Sequence, residues 1–201
     1  MQRENSAQTF VFFGIVGSGK GTQVKLLMEY LGKKDGRECT YIGTGEIFRQ
    51  IIASSADDDI TLTAKEILNS GRLMPDEITN KLVSEKIESE MVPDKHVVFD
   101  GYPRTVPQSE YFMAEMKPKG RDIIKIIYIT LGKGEAMKRN LLRGRHDDTE
   151  EGLAKRFEEY EQKVIPAMNY FRALDGYTIF TINGEQSVED VHKDIIKALK
   201  Y

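Results

Sequence analysis

The chain has 201 residues, long enough for one domain with a sizeable core, and its 40% hydrophobic and 30% charged content is that of an ordinary soluble protein. A net charge of −3 argues against nucleic-acid polymers as partners, since these favour broad basic surfaces. A single cysteine, Cys39, excludes an internal disulfide framework and a multi-thiolate zinc site; no stretch is long enough to span a membrane, and Met1 to Gln8 lacks a signal-peptide core, which together imply a cytoplasmic protein.

The first predicted element is a buried strand, Thr9 to Phe13, short, β-branched and aromatic, and stopped by Gly14. Gly14-Ile15-Val16-Gly17-Ser18-Gly19-Lys20-Gly21-Thr22 follows, and then a helix with apolar residues at 24, 27, 28 and 31, the spacing of one face. Strand, glycine-rich turn, lysine and hydroxyl at a helix start form the context of a phosphate-binding loop. Glycines let successive N–H groups turn inward around phosphate oxygens, and the helix start adds partial positive charge. Lys20 is placed to lie against the terminal phosphates. The hydroxyl residue, Thr22, comes two places after the lysine, not one.

A turn at 33–36 leads to a second strand, Cys39 to Ile42, and Gly43-Thr44-Gly45-Glu46 opens a helix through Ile52. Asp57-Asp58-Asp59 reads as a solvated loop or helix start, because three adjacent carboxylates cannot all point one way. A helix over Thr61 to Ser70 is expected to stop at Gly71. Arg72-Leu73-Met74-Pro75-Asp76 then leads into a long helix carrying Ile78, Leu82, Ile87 and Met91.

The third strand, His96 to Phe99, ends in Asp100, and Gly101-Tyr102-Pro103-Arg104 forms the turn after it. A carboxylate there is placed to orient Mg²⁺ or its waters, and Arg104 would present a planar pair of donors to a phosphate at the ligand-binding end of the sheet. A helix begins near Pro107, and Ile123 to Leu131 is apolar on both faces, as a central parallel strand should be.

A helix from Glu135 to about Leu142 runs into a basic segment. Between Lys133 and Arg145 lie five basic residues (Lys133, Lys138, Arg139, Arg143, Arg145) and one acidic, Glu135. Arg139 and Arg143 share a helical face. With Arg156, the arginines bracket a glycine and aspartate turn, the arrangement of a mobile cover over a polyphosphate. Lys133 and Lys138 read as ordinary surface charges. A long helix is predicted from Glu151 to Leu174, a fifth strand from Tyr177 to Ile182, and a last helix capped by Ser187. Strand alternates with helix throughout, so the fold class is α/β with a mostly parallel sheet. His96, His146 and His192 are scattered and read as structural or exposed.

Four segments together resemble the nucleoside monophosphate kinase family, and within it the adenylate kinases: Gly17 to Thr22, Thr44 to Arg49, Asp100 to Gln108, and Arg145-His146-Asp147-Asp148 followed by Arg156. The resemblance implies a P-loop NTPase-like, five-stranded parallel sheet flanked by helices. It implies one kinase domain over 1–201, with core segments 9–43, 75–142 and 149–201, a monophosphate-binding insertion at about 44–74 and a short lid at about 143–148. The implied reaction is MgATP + AMP ⇌ 2 ADP in a cytoplasmic monomer, with Mg²⁺ and no zinc. Gly17, Ser18, Gly19, Lys20, Gly21 and Thr22 would hold the ATP phosphates, with Arg139 and Arg143 facing ATP, the backbone near Gln186 touching its adenine, and Asp100 acting on Mg²⁺ through water. Thr44, Arg49, Arg72, Leu73, Met74, Gly101, Tyr102, Pro103, Arg104 and Gln108 would form the AMP site. Arg145 and Arg156 would bridge the nucleotides, so Lys20, Arg104, Arg143, Arg145 and Arg156 would carry the catalysis.

The chain departs from the family pattern at Val16, where proline is usual, and in its lid, which leaves Arg143 and Arg145 two residues apart. A UMP/CMP kinase shares nearly all these residues; Gln108 favours adenine, since an amide both accepts from the amino group and donates to a ring nitrogen. A regulatory ATP-binding switch is the other class of reading, and it has no use for Arg49 and Arg104.

Overall fold

The computed structural model describes residues 6–54, 59–121, 123–145 and 148–201. Five strands, β1 (Thr9–Gly14), β2 (Cys39–Gly43), β3 (His96–Asp100), β4 (Ile124–Thr130) and β5 (Ile179–Asn183), form a wholly parallel sheet in the order β2-β3-β1-β4-β5. β1 is flanked by β3 and β4, so the chain's direction of winding reverses beside its carboxyl end. That crevice is where ligands bind in sheets of this kind.

The central strand shows why both faces are covered. Phe10 and Phe12 point to one side, where they meet Val24, Leu27 and Leu31 of α1 (Lys20–Asp35) and Val191 and Ile195 of α9 (Val188–Ala198). Val11 and Phe13 point to the other, against Val83 and Ile87 of α4 (Asp76–Glu90), Phe112 and Met116 of α5 (Val106–Met116), and Phe171 of α8 (Ile165–Arg172). Each such side chain, fully withdrawn from water, contributes about 1.5–3 kcal/mol. The alternation holds β1 in one register, because a slip of one residue would exchange its two faces.

Two helices, α2 (Thr44–Ala53) and α3 (Asp59–Ser70), stand between β2 and α4, and α3 packs on α7 (Glu150–Glu159). Gly71 ends α3 with φ +72°, and a Cβ there would lie 2.4 Å from the Gly152 carbonyl oxygen of α7. This glycine therefore serves both as the helix stop and as the point of close approach. Asp59 begins α3, whereas Asp57 and Asp58 lie outside the described residues. The Ser187 cap forms as expected, its Oγ accepting from the Asp190 N–H at 3.1 Å.

The long helix expected from Glu151 to Leu174 is corrected in its interior. After α7 the chain passes through a π-helical segment, Tyr160–Val164, before α8 begins at Ile165. The wider turn sits where Tyr160 reaches across to β4, its hydroxyl donating to that of Tyr128 at 3.1 Å. Such segments mark functional positions in many helices.

Candidate active site

α6 (Lys133–Arg143) completes the surroundings of the crevice above β1. One cavity of about 210 Å³ opens there. Its cationic lining comes from four parts of the chain: Lys20 from the start of α1, Arg49 and Arg72 from the α2–α3 region, Arg104 from the turn after β3, and Arg143, Arg145 and Arg156 from around α6 and α7. Leu73, Met74, Gly101 and Pro103 also line it, as do Val16, Gly45, Phe48, Ile67, Glu159 and Tyr160. Residues spread over more than 130 positions of sequence thus converge on one space.

The loop before α1 is shaped for anions. Gly17 and Gly19 both have φ +88°, in the left-handed region. At Gly17 a side chain is excluded twice over, because a Cβ would also lie 2.4 Å from Asn140 Nδ2 of α6. Lys20 Nζ donates to the carbonyl oxygens of Gly14 and Ile15 at 2.6 and 3.1 Å. Burial pushes its pKa down to about 8; the Asp100 carboxylate opposes the shift, and Arg104 and Arg143 add to it. A buried cation among cations is a strong attractor for phosphate.

Asp100 ends β3, and a Cβ built on Gly21 would lie 3.7 Å from its Oδ2, so the carboxylate stands beside the loop. Tyr41 donates to the same oxygen at 3.3 Å. Among the described residues no three His, Cys, Asp or Glu side chains gather as for a metal ion. One hard carboxylate beside a phosphate loop nevertheless fits Mg²⁺, which keeps its waters and takes most other ligands from the nucleotide.

Arg104 Nε donates to the Gly101 carbonyl at 2.6 Å, and Thr44 Oγ1 donates to the same carbonyl at 2.7 Å. The turn after β3 and the start of α2 are thereby joined. Burial lowers the Arg104 pKa; Asp100 opposes this and Arg156 adds to it. The guanidinium stays protonated under all ordinary conditions.

On the lid side, Asp148 was not legible as a functional residue. Its side chain is fully buried and accepts from Arg143 at 2.8 and 3.0 Å, from Arg156 at 3.4 Å and from the Arg145 N–H at 3.3 Å. The residue that read as part of a flexible turn is the anchor holding three arginines in one place. An acidic residue closing a strongly basic run was the available signal. His146 and Asp147 lie outside the described residues.

Several expected site residues do not line this cavity. Tyr102 is buried in the core with its hydroxyl donating to Asn80 Oδ1 at 2.7 Å. Arg139 turns toward the loop after β5, donating to the Gly184 carbonyl at 2.9 Å and to Glu135 at 2.8 Å; Gln186 lies on that same loop. Ser18 and Gln108 are buried. The Gln108 amide oxygen accepts from the Arg104 N–H at 2.8 Å and its nitrogen donates to Asp76 Oδ1 at 2.7 Å.

The family model described as adenylate kinase matches residues 12–175. The chain belongs to the adenylate kinase family. It is 34% identical over 193 residues to an adenylate kinase of Bacteroides fragilis, covering 94% of this chain and 96% of that one. It is 32% identical to adenylate kinase 1 of Nostoc sp. over 92% and 95% of the two chains, and 30% identical to an adenylate kinase of Corynebacterium aurimucosum over 94% and 98%. The matched range runs from Phe12 within β1 past the end of α8, and so takes in every cavity-lining residue of this adenylate kinase family member. Among the described residues no helix is long and apolar enough to cross a membrane.

Proposed function

We propose that the protein transfers the terminal phosphoryl group of MgATP reversibly to AMP, giving two ADP. The observation that carries this reading is the single cavity in which Lys20 of the phosphate loop faces Arg49, Arg104, Arg143, Arg145 and Arg156. A protein that only bound or hydrolysed ATP would need the loop but not a second set of guanidiniums rising from α2 and the turn after β3.

In this reading 44–74 is the monophosphate-binding insertion and 143–148 the lid of one kinase domain. Gly17 to Thr22 cradle the ATP phosphates through backbone N–H groups, and Lys20 leaves its loop carbonyls to meet them. Arg139 and the backbone near Gln186 attend the ATP base. Thr44, Arg49, Arg72, Leu73, Met74, the 101–104 turn and Gln108 hold AMP, with Tyr102 supporting that turn from the core. Asp100 would hold Mg²⁺ through water, and the ion would supply charge neutralisation at the phosphates. Arg104, Arg143, Arg145 and Arg156 brace the two nucleotides and stabilise charge on the equatorial oxygens as the bond to ADP breaks and that to AMP forms. AMP attacks through a phosphate oxygen that is already ionised at neutral pH, its second pKa being about 6, so no side chain need act as a base. The protein works as a cytoplasmic monomer.

Purified protein incubated with MgATP and AMP should form two ADP per ATP consumed, and ADP alone should yield ATP and AMP. Release of inorganic phosphate from ATP at the same rate with and without AMP would instead identify an ATP-hydrolysing switch.

A further inference from the structure

The α4 start and the α5 start are joined by one carboxylate. Asp76 Oδ1 accepts from Gln108 Nε2 at 2.7 Å, and Asp76 Oδ2 accepts from Thr105 Oγ1 at 2.9 Å. Thr105 in turn caps α5, accepting from the Gln108 N–H at 3.1 Å. On its other side the Gln108 amide oxygen accepts from the backbone N–H of Arg104 at 2.8 Å. These partners border the monophosphate site: Ile67, Arg72, Leu73 and Met74 line both the main cavity and an adjoining space of about 420 Å³ that Asp76 and Thr105 also line.

We propose that Asp76 is a positioning residue that sets base choice, by holding the Gln108 amide in one of its two orientations so that the site takes 6-aminopurine and not 6-oxopurine monophosphates. The proposal rests on the reading of Gln108 as the base reader. The orientation follows from the chemistry of the partners. A carboxylate only accepts, so Asp76 must face the amide nitrogen; a backbone N–H only donates, so Arg104 must face the amide oxygen. Reversing the amide would set donor against donor and acceptor against acceptor in a nearly buried place, at the full cost of two unpaired groups.

Each amide atom keeps one further valence: the second N–H of Nε2 and the second lone pair of Oε1. They are offered in a fixed order, donor on the Asp76 side and acceptor on the Arg104 side. Adenine matches with an acceptor at N1 and a donor at its 6-amino group. Hypoxanthine and guanine carry a donor at N1 and an acceptor at O6, the reverse order. A base whose phosphate is already fixed by arginines cannot shift to restore the pairing. Without Asp76 the amide has one reason fewer to keep its orientation.

The test compares kcat/KM for AMP and for IMP, with MgATP saturating. In Asp76→Ala the AMP:IMP ratio should fall at least tenfold, while the KM for ATP stays within twofold. Thr105→Val removes the carboxylate's other partner, together with the cap on the Gln108 N–H, but leaves both bonds of the side-chain amide in place and should leave the ratio unchanged. Equal losses for AMP and IMP in Asp76→Ala, with the ratio intact, would overturn the proposal, as would a fall in Thr105→Val matching that in Asp76→Ala. Should Asp76→Ala not fold, as judged by circular dichroism, Asp76→Leu keeps about the same volume and offers Gln108 no acceptor. The ratio should fall there too, and an unchanged ratio counts against Asp76. Gln108→Ala separates the two levels. If it collapses the ratio while folded Asp76 variants do not, only the positioning role fails; if it leaves the ratio intact, Gln108 is not the reader and both fail.

Discussion

Asn140 Nδ2 donates to the carbonyl oxygen of Val16 at 3.1 Å, so α6 grips the phosphate loop from behind. The same nitrogen donates to the Ala136 carbonyl at 2.7 Å, and the residue is fully buried. Arg139 and Arg143 flank Asn140 in sequence on one helix, which ties their position to that of the loop. Asn140→Leu keeps the volume and removes the tether. It should raise the KM for ATP by three- to tenfold and leave AMP binding without ATP unchanged. Kinetics at varied ATP together with direct AMP titration check both halves.

Lys20 sits in a site built to make its charge available. Lys20→Met keeps the stem and removes the cation that neutralises phosphate in the transition state, so turnover should fall by orders of magnitude with a native circular dichroism spectrum. Retention of more than about a tenth of turnover, a loss of only ~1.4 kcal/mol, would mean that the lysine does not serve the reaction.

The same lysine sets a pH dependence. In the free protein its proton is held with a pKa of about 8, lowered from 10.5 chiefly by burial. The binding-competent cation is therefore present below pH 8 and lost as pH rises through it. Bound phosphates raise the pKa again, so kcat/KM for ATP should decline above pH 8 while kcat at saturating ATP declines only at higher pH. A profile of the two parameters from pH 6.5 to 9.5 shows whether they separate.

Arg145 precedes α7 and Arg156 stands within it, eleven residues further on. Both line the one cavity, and Asp148 connects the turn to α7. As a finger acting within the chain, Arg145 should contribute about 10³ to 10⁵ in rate. Arg145→Ala should therefore lower kcat severely and AMP affinity without ATP much less, with poor rescue by Arg145→Lys because a point charge lacks the planar fork. Near-normal kcat in Arg145→Ala with loss in Arg143→Ala would move that role to Arg143. Asp148→Asn, which loosens the guanidiniums, should lower kcat more than it alters either KM.

His96 gives the fold an acid limit. It is 2% exposed, its Nδ1 accepts from the Gln8 N–H at 3.0 Å, and its Nε2 lies 3.0 Å from Asp35 Oδ2. Protonation would put two donors face to face at Nδ1. Burial keeps its pKa below the ordinary 6.5 despite the Asp35 carboxylate. The unfolded chain therefore takes up the proton first, and stability present above pH 6.5 is lost as pH falls below it. The melting temperature should drop between pH 7 and 5.5, and less so in His96→Gln.

Sheet and helices were legible because their signals are local: the apolar run of β1, the glycine stops, the Ser187 cap. The arginines that line the cavity stood out for a different reason: they are arginine and not lysine, and they cluster about a glycine and aspartate turn and after the end of a strand. What sequence did not show were pairings between distant positions. Asn140 meets Val16 from 124 positions away, and Asp76 meets Gln108 from 32. Each acquires its role from a partner brought near by folding. The π segment begins at Tyr160, whose hydroxyl meets that of Tyr128 on another element, and no local pattern in the sequence marked it.

The central claim, that the second site takes adenosine monophosphate as phosphoryl acceptor, is tested most directly by kcat/KM for AMP, CMP and UMP with MgATP. AMP should exceed both by at least tenfold, because a site built around base hydrogen bonds leaves groups unpaired with the wrong base. Equal or better kcat/KM with CMP or UMP would contradict it and make the protein a pyrimidine monophosphate kinase.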